Sequence, residues 1–403
     1  MLTLRGPTEP RRGSALRELG IIHDGSLLVR DGVLVEVGPT RRIENLALAH
    51  KAVEISAVGR VVMPGFVDSH THLLFPPPGS YGMNLDAGAR VLRAQTGMRL
   101  EARARMHLKA MARHGTTTVE VKTGCGPDDG AEMKLLRVLA GLKRESVEVV
   151  STFLLRLPPF GLNGSHPAQT HSDWVCEEFL SKIRRRRLVS FADLIWDEHP
   201  AREACFRRFL EEAQRLGVRR KVHAEDTSTS MALALALENS AASIDHLEQA
   251  TAADAGLLGR SPTIATLLPG ASFHRDGPYA PARLLIEAGA AVALASNFNP
   301  HHTPTLNMQT VVTLACSRMG MTPAEAISAA TINGAHALGC ASKAGSLEPG
   351  KVADLLILGI SDYREVAHNF GTNVVQSTMK RGQLIYEEGD VTPRAPKDLH
   401  PTW

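Results

Sequence analysis

Residues 61–75 constrain this chain most, because an apolar run there ends in two closely spaced histidines. The segment VVMPGFVDSHTHLLF is typical of a buried strand with a polar end. Side chains alternate along a strand, so His70 and His72 point to the same side and are spaced to bind one metal ion. Alternatively, both histidines cap a core strand and form only hydrogen bonds. We favour the metal, because two converging buried imidazoles would otherwise leave polar atoms to be satisfied.

Composition indicates a globular protein with dispersed charge. A chain of 403 residues, 43% of them hydrophobic, can form one large domain and a smaller one. The formal net charge is only +3, and the four arginines at 184–187 are most simply a solvated helix end. We therefore do not expect nucleic acid as a partner.

The cysteines and the first residues favour the cytoplasm. Five cysteines without a CxxC pair indicate free thiols in a reducing compartment. Residues 1–10 are polar and unlike a signal peptide, and no apolar run reaches the roughly 20 residues that span a bilayer.

Short strands are predicted at both ends of the chain. Strands at 26–30 and 33–37 flank an Asp-Gly turn, which is a hairpin signal. The far end has a similar pattern at residues 353–358, 374–379 and 383–388. We expect residues 1–60 and 346–403 to pair into one small β-sandwich domain.

Between residues 61 and 345, apolar strands alternate with amphipathic helices, as in a parallel α/β sheet. The first strand begins at Val61, and seven more are predicted at 116–121, 147–154, 192–196, 220–223, 243–245, 263–268 and 291–295. Eight such units favour a (β/α)8 TIM-like barrel over an open, doubly wound sheet.

The chemistry of such a barrel lies where its strands end. Polar residues recur at these ends: His70, His72, Glu120, Lys122, His223, Asp245, His246 and Asn297. Three or four imidazoles and an oxygen ligand would bind a divalent metal ion that activates water for hydrolysis.

Motifs along nearly the whole chain carry a family resemblance. In chain order they are MPGFVDSHTHLLF (63–75), GTTTVEVKTG (115–124), HAED (223–226), SIDHLE (243–248), TLLPGASF (266–273), FNP (298–300), MTPAEAI (321–327), ATINGAHALG (330–339) and GSLEPGKVADLLIL (345–358). Their order and number resemble the imidazolonepropionase family of the amidohydrolase superfamily. The resemblance implies one divalent metal ion, zinc or iron, and a possible homodimer. It also implies hydrolysis of the cyclic amide 4-imidazolone-5-propanoate to N-formimidoyl-L-glutamate in histidine degradation, or of another small ring by a diverged relative.

The resemblance also implies roles for individual residues. His70, His72 and His223 match the metal histidines of the family. Asp226 takes the place of the residue that touches water and substrate. His246 matches the histidine on the sixth strand, which would polarise the carbonyl group or orient the attacking water.

Asn297 is the main departure from the family pattern. The eighth strand of the family ends TDFNP, and its aspartate both ligates the metal and accepts a proton; this chain has SNFNP. Asn297 has an oxygen for the metal but no useful basicity. Asp226, Asp245 and His246 are the candidate replacement bases.

Three substrate-binding side chains of the family are also replaced. The positions of its Arg, Tyr and His fall near Gly79, at Cys125 and at Leu157. We assign Cys125 to the substrate pocket by its position. Arginines close to the vacant positions could bind a substrate carboxylate instead: Arg156, the preferred candidate, and Arg90 or Arg93.

Two further features have a chemical and a structural interpretation. Lys122 could be carbamylated to bridge two metal ions, but we prefer a structural lysine paired with Glu120. His301 and His302 could supply the ligand that Asn297 lacks, although such a loop pair is more often exposed.

The function therefore has two candidate classes. We favour a metal-dependent cyclic amidohydrolase, because four histidines are retained. The alternative is a non-catalytic relative that keeps the fold and binds a small molecule or a partner. A deaminase of the nucleobase type would lack its strand-eight aspartate equally.

Overall fold

The strands form three sheets in the computed structural model, which describes residues 1–75, 85–124, 129–142, 145–158, 167–224, 229–300 and 303–389. In chain order they are β1 (Gly25–Arg30), β2 (Val33–Pro39), β3 (Val61–Pro64), β4 (Phe66–Asp68), β5 (Thr116–Lys122), β6 (Glu148–Leu155), β7 (Phe191–Ile195), β8 (Arg219–His223), β9 (Ser243–Asp245), β10 (Ile264–Leu267), β11 (Val292–Leu294), β12 (Leu355–Leu358), β13 (Val375–Lys380) and β14 (Gln383–Glu387).

Helices alternate with the strands through the middle of the chain. The α-helices are α1 (Thr40–Ile43), α2 (Leu85–Ala94), α3 (Gly97–Arg113), α4 (Asp129–Gly141), α5 (Pro167–Trp174), α6 (Leu180–Arg185), α7 (Pro200–Arg215), α8 (Thr229–Glu238), α9 (Ala252–Gly259), α10 (Pro269–Arg275), α11 (Ala282–Glu287), α12 (Met308–Met319), α13 (Pro323–Ser328), α14 (Gly334–Ala337) and α15 (Glu365–His368). Short 3₁₀ segments lie at Gly13–Arg17 and Ala49–Lys51, and π-helical turns at Val175–Phe179 and Ala329–Asn333. Among the described residues, no helix has both the length and the hydrophobicity that crossing a membrane requires.

Strands β4 to β11 form one parallel sheet in which each strand pairs with the next along the chain. This order confirms the predicted (β/α)8 barrel and excludes a doubly wound sheet, whose strand order reverses at a switch point. All eight strands therefore end at one face of the barrel.

Backbone hydrogen bonds beyond the ends of β4 and β11 close the ring. The Asn297 N–H donates to the His70 carbonyl at 3.1 Å, and the His72 N–H donates to the Phe298 carbonyl at 2.8 Å. Asp68 strengthens this seam, because its carboxylate accepts the backbone N–H of Ser296 at 2.9 Å and its hydroxyl at 2.5 Å. His70 is thus bonded to Asn297, and His72 to Phe298.

The strand predicted to begin at Val61 is two strands, divided at Gly65. The first, β3, pairs antiparallel with β12, whereas β4 pairs parallel with β5. A Cβ atom at Gly65 would lie 2.3 Å from two side-chain atoms of the buried Thr117. Only glycine lets the backbone pass this close, and the apolar pattern on its own gives no sign of the change of sheet.

The predicted terminal strands lie in the other two sheets, and β3, beyond the predicted boundary at residue 60, joins one of them. Strands β1 and β2 form an antiparallel pair, and the second sheet has the order β14-β13-β12-β3. One apolar cluster joins the two sheets and includes Leu34, Val37, Leu355, Ile357 and Met379. The division into domains at residues 60 and 345 stays a prediction.

Helix α3 shows how a helix outside the barrel packs against its neighbours. Its N-cap residue Thr96 accepts a hydrogen bond from the Arg99 N–H. The buried face recurs at helical spacing, at Leu100, Ala104, Leu108 and Met111. The chain then turns at Gly115, where φ is +91° and a Cβ atom would lie 2.8 Å from Leu356 of β12.

We expect Gly65→Ala to lower the free energy of unfolding by about 1–3 kcal/mol, because the added methyl group collides with the rigid Thr117. Urea denaturation followed by circular dichroism measures the change. Gly97→Ala is the matched control, since within the described part of the chain its Cβ meets only Val138, at 3.9 Å. Equal stability of the two variants would contradict this account of the strand division.

Candidate metal centre

Four buried histidines converge where the barrel strands end. His70 and His72 follow β4, His223 ends β8 and His246 follows β9. The ring centroid of His70 lies 5.2 Å from that of His72, 4.4 Å from that of His223 and 5.7 Å from that of His246. Ligand nitrogens of His70, His223 and His246 lie within 4.8 Å of one another. The fold thus brings the predicted histidines together.

Asp245 orients the ring of His70. Its Oδ2 accepts a hydrogen bond from Nδ1 of His70 at 2.8 Å, which leaves Nε2 of that ring with its lone pair. Burial and then the charges of Lys122 and His223 lower the pKa of His70 well below its ordinary value. A neutral imidazole with this tautomer is competent to bind a metal ion.

The positions of the ring nitrogens fit a divalent cation. Nε2 of His70 lies 3.3 Å from Nε2 of His72. Two tetrahedral ligands with metal–nitrogen bonds of about 2.0–2.1 Å stand about 3.3–3.4 Å apart. Nδ1 of His72 and both ring nitrogens of His223 are buried and have no hydrogen-bond partner among the described residues, although Nδ1 of His223 lies 3.0 Å from Oδ2 of Asp193. Burial and then the charges of His223 and Arg156 lower the pKa of His72 well below its ordinary value, so this ring is also neutral.

Lys122 lies behind the histidines and contacts more than its predicted partner. Its Nζ is 3.3 Å from Oε2 of Glu120, but 2.5 Å from Oδ2 of Asp193 and 3.0 Å from Oδ2 of Asp245. Burial alone would lower the pKa of Lys122, but these carboxylates outweigh it and raise the pKa. A lysine that keeps its proton is a poor candidate for carbamylation, which needs the neutral amine.

Asn297 sits in the barrel seam in a left-handed backbone conformation. Its φ is +51°, the residue is buried, and its N–H is bonded to the carbonyl group of His70. Asparagine tolerates this conformation better than most residues. Beside it, burial raises the pKa of Asp68 to about 6 in spite of the hydrogen bonds from Ser296.

His246 is paired with a carboxylate of its own. Its Nδ1 lies 3.2 Å from Oε1 of Glu248. His246 and Leu247 both have positive φ, at +85° and +71°, which turns the chain sharply after β9. Asp245, by contrast, is held by several donors: burial alone would raise its pKa, but Lys122 and the other nearby positive groups lower it well below its ordinary value. Asp245 is therefore a weak candidate for the base.

Arg156 is the candidate substrate ligand that lies near the histidines. Its guanidinium carbon stands 5.6 Å from the ring centroid of Phe75, and its positive charge acts on His72. Arg90 and Arg93 are exposed residues of α2. The predicted site residues Asp226 and Cys125, the Gly79 position and the pair His301 and His302 lie outside the described residues.

The sequence analysis missed the part played by Asp193. It lies on β7, and its Oδ2 is 3.0 Å from Nδ1 of His223. A signal was present, because a carboxylate inside the apolar strand FADLI requires a buried partner. Glu248 was overlooked in the same way, two residues after His246.

Known proteins share this fold and much of this sequence. Residues 193–385 match the model of the amidohydrolase family. An imidazolonepropionase from Symbiobacterium thermophilum is 37% identical over 408 residues, which cover 96% of this chain and 95% of the relative. An imidazolonepropionase from Chloroflexus aggregans is 36% identical, with 96% of each chain covered. Among solved structures, a 5-methylcytosine deaminase from Klebsiella pneumoniae with phosphonocytosine has a TM-score of 0.73 at 19% identity, over 92% of this chain and 97% of that chain.

Barrel and histidine cluster together are the architecture of a metal-dependent amidohydrolase. At 37% identity over nearly its full length, the chain belongs to the imidazolonepropionase family. The predictions of a hydrolytic enzyme of this type, with a divalent metal ion and a small-molecule substrate, are thereby confirmed.

We expect Ser296→Ala to lower the free energy of unfolding by about 1–3 kcal/mol, because it leaves a buried oxygen of Asp68 without its donor. Urea denaturation at pH 8 measures the loss. Ser328→Ala is the control, since its buried hydroxyl has no hydrogen-bond partner within the described ranges. If both variants lose the same stability, Asp68 does not strengthen the seam as described.

Proposed function

We propose that this chain hydrolyses the C–N bond of a small cyclic amide, with 4-imidazolone-5-propanoate as the first substrate to test. The product would be N-formimidoyl-L-glutamate, formed in histidine degradation. The observation that carries the proposal is the set of buried, converging imidazoles with unpartnered ring nitrogens at the C-terminal face of the barrel.

In this proposal His70, His72 and His223 hold the metal ion, and the amide oxygen of Asn297 is the fourth protein ligand. Zinc and iron both accept imidazole-rich ligand sets, so these nitrogen and oxygen ligands do not distinguish the two metals. A divalent ion here supplies Lewis-acid activation of water and of the substrate carbonyl group. Asp245 orients the ring of His70 by a hydrogen bond, and Asp193 lies in contact with Nδ1 of His223.

His246 is the proposed catalytic base, since Asn297 has no useful basicity. Glu248 at 3.2 Å from Nδ1 orients the ring and stabilises its protonated form, as a carboxylate does for a catalytic histidine. After accepting a proton from the attacking water, His246 can stabilise the oxyanion or pass the proton to the leaving nitrogen. Asp226 stays a candidate for contact with the reacting water and substrate.

Arg156 is the proposed partner of a substrate carboxylate. The Phe75 ring lies beside the guanidinium, which is only partly exposed, and a charge pair formed there is stronger than in open solvent. Cys125 is proposed to line the same pocket. We further propose a cytoplasmic enzyme, possibly a homodimer, with neither nucleic acid nor a membrane as partner.

The test combines metal analysis with turnover. Purified protein is analysed for zinc and iron, then assayed with 4-imidazolone-5-propanoate and with a panel of hydantoin and dihydropyrimidine rings. The proposal predicts one equivalent of metal and turnover of at least one ring, abolished by chelation and restored by metal. Bound metal without turnover of any ring would overturn the proposal.

We expect His246→Gln to lower kcat by about 10²- to 10⁴-fold, because it removes the group that accepts the proton. Metal content and KM should change little. Glu248→Gln should lower kcat less and shift the lower limb of the pH profile, since it removes only the orienting charge. An unchanged kcat in His246→Gln would eliminate His246 as the base.

We expect Asn297→Asp to raise kcat, because an aspartate at this place restores a carboxylate that accepts a proton. The gain is bounded by the roughly 10²- to 10⁴-fold that a general base contributes. Asn299→Asp, two residues further along, is the control for added charge in the same loop. No gain in Asn297→Asp would mean that proton transfer to this position does not limit the rate.

A further inference from the structure

Lys122 makes three ionic contacts from a fully buried position on β5. Its ammonium group lies 2.5 Å from Oδ2 of Asp193, 3.0 Å from Oδ2 of Asp245 and 3.3 Å from Oε2 of Glu120. The side chain has no exposed surface. A buried cation with several carboxylate partners fixes those carboxylates in position, because any rotation would leave a charge uncompensated.

The same carboxylate oxygens contact two of the proposed metal ligands. Oδ2 of Asp245 accepts a hydrogen bond from Nδ1 of His70, and Oδ2 of Asp193 lies 3.0 Å from Nδ1 of His223. Each oxygen is therefore shared between Lys122 and one histidine. The rings of His70 and His223 lie on different strands, with centroids 4.4 Å apart, and Lys122 is the group that connects their two supports.

Charge explains why a cation is needed at this point. Oxygens of Asp193 and Asp245 and a nitrogen of His223 lie within 4.8 Å of one another. Two ionised carboxylates this close repel each other, and one would turn away without a positive charge between them. That movement would remove the carboxylate from beside its histidine.

We propose that Lys122 is a positioning residue for the metal centre: its ammonium group holds Asp193 and Asp245 so that His70 and His223 present Nε2 to one ion. The inference rests on the proposed function, since it takes both histidines as metal ligands. It assigns Lys122 a role that pairing with Glu120 alone does not provide.

Lys221 is a matched control within the same barrel. It is also fully buried, and it also pairs with Glu120, at 2.7 Å. Its other hydrogen bond goes to the backbone carbonyl of Ser69, at 3.2 Å. Replacing Lys221 removes a buried ammonium group of the same kind without removing a hydrogen bond to Asp193 or Asp245.

The experiment compares wild type, Lys122→Met and Lys221→Met as full-length proteins. Affinity for Zn²⁺ is measured by competition with a chromophoric chelator, and the ligand field is followed by the visible absorption of Co²⁺-loaded protein. We expect Lys122→Met to lose about 10- to 100-fold in affinity, the usual effect of removing an outer partner of metal histidines, and to show shifted Co²⁺ bands. Lys221→Met should match wild type in both measurements once circular dichroism shows that it is folded.

Each other outcome has a defined meaning. Equal affinity and equal spectra of Lys122→Met and wild type would overturn the inference and leave the proposed function intact. A wild type that binds no Zn²⁺ or Co²⁺ would overturn the proposed function. Equal losses of Zn²⁺ affinity in both lysine variants would also overturn the inference, because Lys122 would then act only as a general stabilising charge.

If Lys122→Met does not fold, Asp193→Asn decides the question, because it keeps the lysine and removes one of the two supports. The inference then predicts weaker Zn²⁺ binding and altered Co²⁺ bands. Unchanged values in Asp193→Asn would contradict it.

Discussion

Imidazoles can converge at the C-terminal end of this barrel because fixed charges lie directly behind them. Asp245 accepts a hydrogen bond from Nδ1 of His70 and leaves Nε2 available, and Asp193 lies in contact with Nδ1 of His223. Burying two carboxylates is costly unless a cation compensates them, and Lys122 is placed between them. The orientation of the histidine rings thus depends on the buried ion pairs of Lys122 with Asp193 and Asp245.

The closure of the barrel determines which residues lie beside these histidines. The chain beyond β4 carries His70 and His72, and its backbone is bonded to the chain beyond β11, which carries Asn297. Asp68 and Ser296 reinforce this join from within. The seam therefore places Asn297 beside the proposed metal histidines. In our proposal the amide changes the available base without dismantling the site, and His246 with Glu248 replaces it.

Much of this could be predicted from the sequence, because it follows from local pattern and a general property of barrels. The alternation of side chains along a strand placed His70 and His72 on one side, and the rule that barrel strands end at one face brought His223 and His246 to them. The division at Gly65 was not predictable, since it depends on how closely Thr117 approaches from the next strand. The partners of Lys122 were missed for the same reason: Asp193 and Asp245 lie 71 and 123 residues away along the chain. The alternation of residues along a strand predicts that a residue is buried. Which residues it contacts depends on how the barrel closes.

The proposed chemistry depends on one divalent ion held by three imidazoles, and X-ray absorption at the metal edge of the purified protein tests this most directly. Extended fine structure distinguishes imidazole from other nitrogen and oxygen ligands by the scattering of the outer ring atoms. We predict about three imidazole nitrogens at about 2.0–2.1 Å for a zinc-loaded sample, with the remaining ligands oxygen. A spectrum without imidazole scattering, or with sulfur as a main ligand, would contradict the assignment of His70, His72 and His223.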